Sequence, residues 1–445
     1  MGTVFLGAMI AAAALSMGKG FTNALRADRS DDFQWRPASV LVTGSNPYRE
    51  FIDHAHRERI TSATENNALP NYPLTGYVFL APFGAVEWGN AKVAWAVLNL
   101  LCAGGVAISI AVLAGPPGSR ERRIGLLAAL AMLCSAPARD QIAAGQHTLF
   151  ALCAFLGAWI AGRRERRWWL SALLIAVSWF KFTVTVPLSI AFLFRKGRWR
   201  EPAAALTLHA GLFALACAWT GTPPLTYLRD YAESARLALE VSGIRSDVWD
   251  TLSLGRLILP ESGLAGLGLS VGWLGAAVWL AAKRDRRSRK ADDLEVLAIL
   301  AVPATLAGFH LRYDFVALGL AAAWVATRSV PRDACFPLAA TIALNWYGAR
   351  VLERLYFEPI DAVNGIWAAP GILGLNAIAL LHWLACLWLV GRLTLGEASP
   401  VPTASHHGIG KKRDRSAPAR IEGPDIAPAP DAPISSSSRA SSREI

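Results

Sequence analysis

Charged residues are scarce in this chain, and that scarcity excludes a water-soluble globular protein of its length. Asp, Glu, Lys and Arg make up 17% of the 445 residues, whereas hydrophobic residues make up 53% and the mean hydropathy is +0.34. A soluble fold of this size needs more charge to cover its surface. Lipid is therefore the expected solvent, and the sequence predicts an integral membrane protein.

Cysteine is also sparse, and several catalytic motifs are missing. The six cysteines all lie inside apolar runs, without metal-ligand spacing, so they are interpreted as small core residues: Cys102, Cys134, Cys153, Cys217, Cys335 and Cys386. The sequence has no P-loop, GxGxxG, HExxH, CxxC or DxD element. A nucleotide-driven or zinc-dependent mechanism is therefore without support, and neither a cofactor nor a metal is expected.

Basic residues give the chain a net charge of +11, but they do not form one interleaved patch. They occur as short clusters between apolar runs, at 120–123, 163–167, 195–200 and 283–290. This distribution is typical of the positive-inside rule, by which cytoplasmic loops of membrane proteins carry Lys and Arg. We therefore expect membrane lipids as surroundings and do not expect a nucleic-acid partner.

Placing every basic cluster in the cytoplasm gives a single threading with about twelve membrane segments. The first apolar run lacks a basic n-region, so it is expected to remain as an uncleaved first span. Residues 1–395 then form one all-α, polytopic membrane domain with outer loops at 19–90 and 221–262. Residues 396–445 are rich in Pro, Ala, Ser and Arg and are expected to form a disordered cytoplasmic tail.

Two stretches of this threading, 124–161 and 168–194, begin and end at basic clusters and must cross an even number of times. The first divides at 138–147 and the second at 179–183, which leaves arms of about 12 to 15 residues. Such arms are too short for a ~30 Å hydrocarbon core. The sequence therefore predicts two hairpins of short helices with tips in a protein-lined cavity near the outer side.

Polar residues at membrane depth are costly and point to function. In this threading the unusual ones all fall on the outer face: Asp31, Asp32, Asp140, Gln146, His147, Lys181, His310, Arg312, Tyr313 and Asp314.

Lys181 is the most unusual of this set, because apolar residues flank it in WFKFTVTVP. It can serve as the partner of a phosphate group, for which an ammonium acts as a point charge. Alternatively it extends outward to water or pairs with a buried carboxylate in a purely structural role.

The other polar residues also have structural alternatives. Asp31 or Asp32 can cap a helix or act as a base toward a substrate hydroxyl. Gln146 and His147 can satisfy backbone groups at a helix start. The residues His310, Arg312 and Asp314 can form a salt-bridged turn.

Five segments, in order, resemble the polyprenol-phosphate-sugar-dependent glycosyltransferases of family 87, members of the GT-C superfamily. They cover about residues 1–390: DFQWRPASVLVTGSNPY (32–48), YPLTGYVFLAPFGAV (72–86), GQHTLFALCAFLGAW (145–159), the lysine-centred segment ending FRKGRWR (194–200) and HLRYDFVALGL (310–320). Three positions depart from the family pattern. Phe182 stands where proline usually follows the lysine, Leu74 replaces the second proline of a YPP motif, and Trp35 replaces a common tyrosine.

The resemblance implies a GT-C-type helical bundle that transfers a hexose, with mannose the first candidate, from a polyprenyl phosphate sugar to a glycolipid or glycan. The active site would face the extracytoplasmic side of the cell (inner) membrane. The implied roles are a catalytic base (Asp32, with Asp31 in reserve), donor-phosphate ligands (Lys181 and Arg312) and a sugar or acceptor pocket (Gln146, His147, His310, Tyr313 and Asp314). A phosphate leaves readily, so neither an acid catalyst nor a metal is required.

Two other classes of protein fit parts of the pattern. A transporter or flippase of a lipid-linked or anionic substrate would also carry buried charges and broken helices. However, the polar set lies at one face, and no second half of the sequence mirrors the first. A non-catalytic membrane scaffold would keep the fold without the chemistry.

Overall fold

The computed structural model describes ten parts of the chain. They are residues 3–26, 30, 32–58, 70, 72–195, 197–242, 263–287, 292–305, 312–328 and 332–348. Within them the backbone is helical, with turns between the helices and no strand.

Sixteen α-helices are described: α1 (Thr3–Ala24), α2 (Trp35–Val42), α3 (Pro47–Glu58), α4 (Leu74–Gly84), α5 (Trp88–Ala114), α6 (Arg120–Leu133), α7 (Ala136–Ala143), α8 (Thr148–Ala161), α9 (Trp168–Ser178), α10 (Phe182–Ser189), α11 (Arg200–Thr220), α12 (Pro224–Ser242), α13 (Gly263–Arg287), α14 (Asp293–Ala304), α15 (Gly319–Thr327) and α16 (Arg332–Ala343). Short 3-10 segments occur at Glu165–Arg167, Trp179–Lys181, Ile190–Phe194 and Arg312–Leu318, and a π-helical turn at Leu344–Gly348.

The length and apolar composition of several helices support the prediction of an all-α membrane protein. Four described stretches are long and apolar enough to cross a membrane: Val4–Ala24, Trp88–Ala114, Trp168–Phe194 and Arg200–Thr220. The bent pair α7 and α8 makes a fifth if it is counted as one span. The predicted number of about twelve segments is not confirmed over the described residues, and the span predicted at 370–391 lies outside them.

The stretch Trp168–Phe194 folds back on itself, although its length and composition would suit one straight crossing. Thr185 Oγ1 donates a hydrogen bond to Ser178 O at 2.6 Å, and a straight helix would separate residues seven apart by about 10 Å along its axis. Moreover, Arg163 and Arg195 both contact Asp293, at 2.9 and 2.7 Å. The two ends of this stretch therefore lie together, which confirms the predicted hairpin with its tip at the Trp179–Lys181 turn.

The other predicted hairpin is formed by α6 and α8, with α7 between them at its tip. Ser119 and Ser135 cap the starts of α6 and α7 by accepting hydrogen bonds from backbone N–H groups. The chain then turns through 108° between α7 and α8. Gly145 lies in this turn with a positive φ of +70°, a conformation that favours glycine.

The basic clusters converge at the end of the bundle opposite to these tips. Arg163 and Arg195 share Asp293, while Arg328 pairs with Asp292 and donates to Ala114 O at 3.2 Å. The side chain of Asp292 also caps α14. Five predicted cytoplasmic connections, those at Ala114, at Arg163, at Arg195, at residues 292–293 and at Arg328, thus meet at one end, as the positive-inside threading requires. Because α8 has 14 residues, the tips lie about 21 Å away.

Two apolar cores hold the bundle together, and they differ in composition. The larger is rich in Ala, Leu and Ile from the helix interiors. The smaller lies around the tips and is dominated by aromatic rings, among them Phe33, Tyr48, Tyr72, Trp95 and Phe180. Large apolar side chains on the spans are exposed, for example Leu101 (68%) and Leu206 (62%), as expected for helices solvated by lipid.

Both predicted outer loops contain helices. The loop at 19–90 holds α2, α3 and α4, and the loop at 221–262 holds α12, which packs against α3. Asn46 Nδ2 donates to Asp230 Oδ2 at 2.8 Å and so ties these two loops together. Asp31 and His310 lie outside the described residues, as does the predicted tail, while Arg312 and Tyr313 are described only in their backbone.

Candidate functional site

The two hairpin tips meet and pack with the segment before α4 around one group of buried polar side chains, a region called the chamber. The His147 ring lies 4.6 Å from the Phe180 ring and 4.9 Å from the Tyr72 ring, centroid to centroid. Tyr72 in turn stacks on Phe180 at 4.6 Å with 27° between the planes. The predicted convergence of the two tips is therefore confirmed.

Lys181 forms a buried ion pair in this chamber. Its Nζ atom lies 3.3 Å from Asp314 Oδ2, and the exposed fractions of the two side chains are 11% and 0%. Thr148 Oγ1 donates a hydrogen bond to the other carboxylate oxygen of Asp314. Buried charges are tolerated when they are paired and hydrogen-bonded, as here. Of the alternatives for Lys181, pairing with a buried carboxylate is the one observed.

The ion pair does not use the whole capacity of the Lys181 ammonium. An ammonium has three N–H donors, and Asp314 accepts from one of them. The Nζ atom also lies 5.6 Å from the centre of the Tyr72 ring, within the range of a cation–π interaction. Lys181 can therefore keep its carboxylate partner and still donate to an additional anion in the chamber.

Tyr72 links the lysine to the polar residues of the first tip. Its hydroxyl lies 3.4 Å from Gln146 Oε1 and 3.2 Å from His147 Nδ1. Burial raises the pKa of Tyr72 to about 12, although the nearby Lys181 acts in the opposite direction. The hydroxyl therefore keeps its proton near neutral pH and can donate it to one of these two neighbours.

A tyrosine network behind the chamber holds Tyr72 in place. The Tyr48 hydroxyl donates to Tyr72 O at 2.7 Å, and Tyr72 N–H donates to the Tyr77 hydroxyl at 3.0 Å. The Tyr77 hydroxyl then donates to Gln34 Oε1 at 3.1 Å. Asn46 Oδ1 accepts from Tyr48 N and so caps α3.

Asp32 lies at the edge of the chamber, in a loop docked on the first tip. Its N–H donates to Ala144 O at 3.0 Å, and its carboxylate raises the pKa of the Tyr72 hydroxyl. The next residue, Phe33, stacks on Trp95 at 5.0 Å, and Trp95 Nε1 donates to Gly145 O at 2.8 Å. The N-cap of α2 is Gln34, whose side chain makes no cap hydrogen bond.

Asp32 is half-buried, in contrast to the fully buried Asp314. Asp314 is enclosed with Lys181 and Thr148, so of the two acids near Lys181 it is Asp32 that keeps access to solvent.

A groove runs between α2 and α3, starting four residues beyond Asp32. It has a volume of about 350 Å³ and is lined by both apolar and polar side chains: Arg36, Pro37, Val40, Pro47, Glu50, Phe51 and His54. Arg36 and Glu50 face each other across it, with 3.3 Å between Nη2 and Oε1. The groove is within the size range of small-molecule sites.

Three residues of the chamber, Tyr72, Thr148 and Asp314, were missed or misjudged from the sequence alone. Tyr72 was noted only within a motif of turn-forming prolines, and Thr148, adjacent to His147, was not singled out. Asp314 was expected in the sugar pocket but lies beside Lys181 as its counter-ion. Within the described part of the chain, no three His, Cys, Asp or Glu side chains come close enough to hold a metal ion.

The fold and the site together define a helical membrane protein whose polar residues meet in the chamber at one end of the bundle. The family comparison is more specific. The sequence model of glycosyltransferase family 87 matches residues 71–307, more than half of the chain. The chain belongs to this family and is a membrane glycosyltransferase, an enzyme that uses a sugar donor and an acceptor. No curated protein and no solved structure matches the chain.

The matched region is narrower than the predicted coverage of about residues 1–390. It includes Tyr72, Gln146, His147, Thr148, Phe180 and Lys181 of the chamber, whereas Asp32 and Asp314 lie outside it.

Proposed function

We propose that this enzyme transfers a hexose, with mannose the first candidate, from a polyprenyl phosphate sugar to a hydroxyl of a glycolipid or glycan. The observation that carries the proposal is the meeting of a half-buried carboxylate, Asp32, and a buried ammonium, Lys181, at one chamber at the end of an apolar bundle. A lipid-linked donor can reach such a chamber from the bilayer, because its polyprenyl chain stays in lipid.

The proposed reaction is a displacement at the anomeric carbon. The acceptor oxygen forms the new glycosidic bond while the bond between the anomeric carbon and the phosphate oxygen breaks. Asp32, or Asp31 in its place, takes the proton of the acceptor hydroxyl, and polyprenyl phosphate leaves with the electron pair. General-base catalysis of this kind typically contributes about 10²- to 10⁴-fold to a rate.

The leaving phosphate gains negative charge in the transition state, and a cation fixed beforehand stabilises it. Lys181 can supply this charge while Asp314 and Thr148 hold it in place. We propose Arg312 as the second cation, since it lies on the same 3-10 segment as Asp314. Gln146, His147, His310 and Tyr313 complete the proposed sugar pocket.

The groove between α2 and α3 is the proposed acceptor side of the site. Its apolar side chains suit the face of a sugar ring, and Arg36, Glu50 and His54 suit the hydroxyl groups of the sugar. Helix α12, tied to α3 through Asp230 and Asn46, would help to shape the acceptor site. Residues 1–395 would form the catalytic domain and residues 396–445 a cytoplasmic tail, with the chamber on the extracytoplasmic side of the inner membrane.

The donor class can be tested with isolated membranes that contain the enzyme. They are incubated in parallel with labelled polyprenyl phosphate mannose, polyprenyl phosphate glucose and the corresponding nucleotide sugars, and glycoside products are separated. We expect product from a lipid-linked donor and none from a nucleotide sugar. Movement of the lipid-linked sugar across sealed vesicles without any glycoside product would instead favour a transporter.

A further inference from the structure

The His147 side chain is buried completely and has one nitrogen with a partner and one without. Its ring lies among Tyr72, Trp95 and Phe180, with Trp95 at 4.8 Å. Nδ1 lies 3.2 Å from the Tyr72 hydroxyl, whereas Nε2 has no hydrogen-bond partner among the described residues. A buried polar atom without a partner costs about 1–3 kcal/mol, so Nε2 is a candidate for binding a ligand.

The Tyr72 hydroxyl determines which hydrogen-bonding character Nε2 presents. In a neutral imidazole one nitrogen is a donor and the other an acceptor. Tyr72 has a single proton, which its hydroxyl donates to Gln146 Oε1 at 3.4 Å, so the hydroxyl oxygen accepts from His147 Nδ1 at 3.2 Å. The proton of His147 therefore resides on Nδ1, and Nε2 is the acceptor.

The surroundings of Tyr72 allow its hydroxyl little freedom to turn away. The ring is stacked on Phe180, the backbone is held by Tyr48 and Tyr77, and Lys181 lies over the ring face. A Cβ atom added at Gly76 would lie 2.9 Å from the Phe180 ring, which shows how closely α4 approaches the second tip.

We infer that Tyr72 is a positioning residue that fixes His147 in the Nδ1–H form, so that Nε2 accepts a hydrogen bond from a hydroxyl group of the transferred sugar. The inference rests on the proposed function, because it assigns the unpartnered nitrogen to the donor sugar. It adds a role for Tyr72 beyond shaping the turn before α4.

The test combines Tyr72→Phe with two substitutions at His147. Tyr72→Phe keeps the ring, its stacking and its cation–π contact with Lys181, but removes the hydroxyl and the polar interaction between it and Lys181. His147→Gln can place its amide oxygen near the position of Nε2 and has no tautomers, whereas His147→Asn places its amide near Nδ1. Tyr347→Phe is a matched control, because it removes a hydroxyl bonded to Ala131 O away from the chamber.

We expect Tyr72→Phe to lower kcat/KM by about 10- to 100-fold, as loss of a supporting hydrogen bond to a functional histidine does. His147→Gln should retain more activity than His147→Asn. In the His147→Gln background, Tyr72→Phe should cost less than threefold, because the amide needs no tautomer selection. Tyr347→Phe should leave kcat/KM unchanged, and thermal unfolding identifies any variant that does not fold.

Equal losses from Tyr72→Phe in the wild-type and His147→Gln backgrounds would overturn the inference and leave Tyr72 a packing residue. The same conclusion follows if Tyr72→Phe is fully active. A wild-type enzyme without transfer from any polyprenyl phosphate sugar would instead overturn the proposed function itself, so the two failures are distinguishable.

Discussion

Lys181 and Asp314, which are 133 positions apart in the sequence, form an ion pair of 3.3 Å that joins the second hairpin tip to the segment before α15. Asp314 is fully buried and Thr148 holds its other oxygen. The pair thus connects three segments of the bundle at the point where the proposed donor phosphate would bind.

Removing one partner of this pair should destabilise the protein strongly. Lys181→Met or Asp314→Asn alone is expected to cost about 3–5 kcal/mol, because an uncompensated polar or charged group stays buried. The double variant should be more stable than the sum of the two losses predicts. Thermal unfolding in detergent measures the stability of the two single variants and the double variant. Arg163→Met is the control: it breaks a half-exposed pair with Asp293 and should cost about 0–1 kcal/mol.

The same variants separate a structural from a functional role of Lys181. If the ammonium also serves the donor phosphate, the double variant should fold and lack transfer activity. A folded double variant with wild-type activity would leave Lys181 with a structural role alone.

Gly145 should be more sensitive to substitution than another glycine of similar backbone conformation. Gly145 and Gly118 have φ values of +70° and +79°. A Cβ atom at Gly145 would lie 2.8 Å from Phe33 Cβ, whereas at Gly118 it would meet nothing within 4 Å. Gly118→Ala is expected to cost about 1–2 kcal/mol for the left-handed backbone, and Gly145→Ala clearly more.

The Gly145 substitution should also affect catalysis, because it pushes Phe33 and the adjacent Asp32 away from the chamber. Unfolding midpoints and kcat measured on both variants provide the check. A Gly145→Ala enzyme as stable and active as Gly118→Ala would contradict the described docking of this loop.

The groove between α2 and α3 should govern the acceptor rather than the donor. Arg36→Gln removes the cation that faces Glu50 across it and is expected to raise KM for the acceptor by about tenfold, in line with the loss of one charge-assisted hydrogen bond. KM for the donor should stay within twofold. Arg49→Gln on α3, which pairs with Asp53 instead, is the control and should change neither constant.

The two ends of the bundle should differ in their accessibility from outside the cell. With the six native cysteines replaced, Glu50→Cys on α3 should react with a membrane-impermeant maleimide on intact cells. Arg167→Cys, in a basic cluster, should react only after permeabilisation. Labelling of Arg167→Cys on intact cells would reverse the proposed orientation.

The two hairpins could be predicted from the sequence because charge and length act together there. Basic clusters at 163–167 and 195–200 had to share a side, and the apolar residues between them were too few for two full crossings. The same reasoning places His147 and Lys181 at one end of the helical bundle without any knowledge of their contacts. The number of membrane segments did not follow in the same way, since hydropathy does not distinguish short helices at membrane depth from full spans.

The pairing of Lys181 with Asp314 was not predictable from local pattern. No helical or strand period connects residues in separate segments, and several acids were equally eligible partners. Tyr72 was not predicted as a site residue for a related reason, because an aromatic residue beside Pro73 is typical of a turn. Its role depends on three neighbours that only the folded bundle brings to its hydroxyl and ring: Gln146, His147 and Lys181.

The most direct test of the whole account compares transfer from labelled polyprenyl phosphate sugar by the wild type, Asp32→Asn and Asp53→Asn. Asp53 is a half-exposed carboxylate on α3 that pairs with Arg49, and its substitution should leave the rate unchanged. Asp32→Asn should fold normally and lose about 10²- to 10⁴-fold in kcat, because the acceptor proton has lost its base. Undiminished transfer by Asp32→Asn would contradict the assignment of this chamber as the active site.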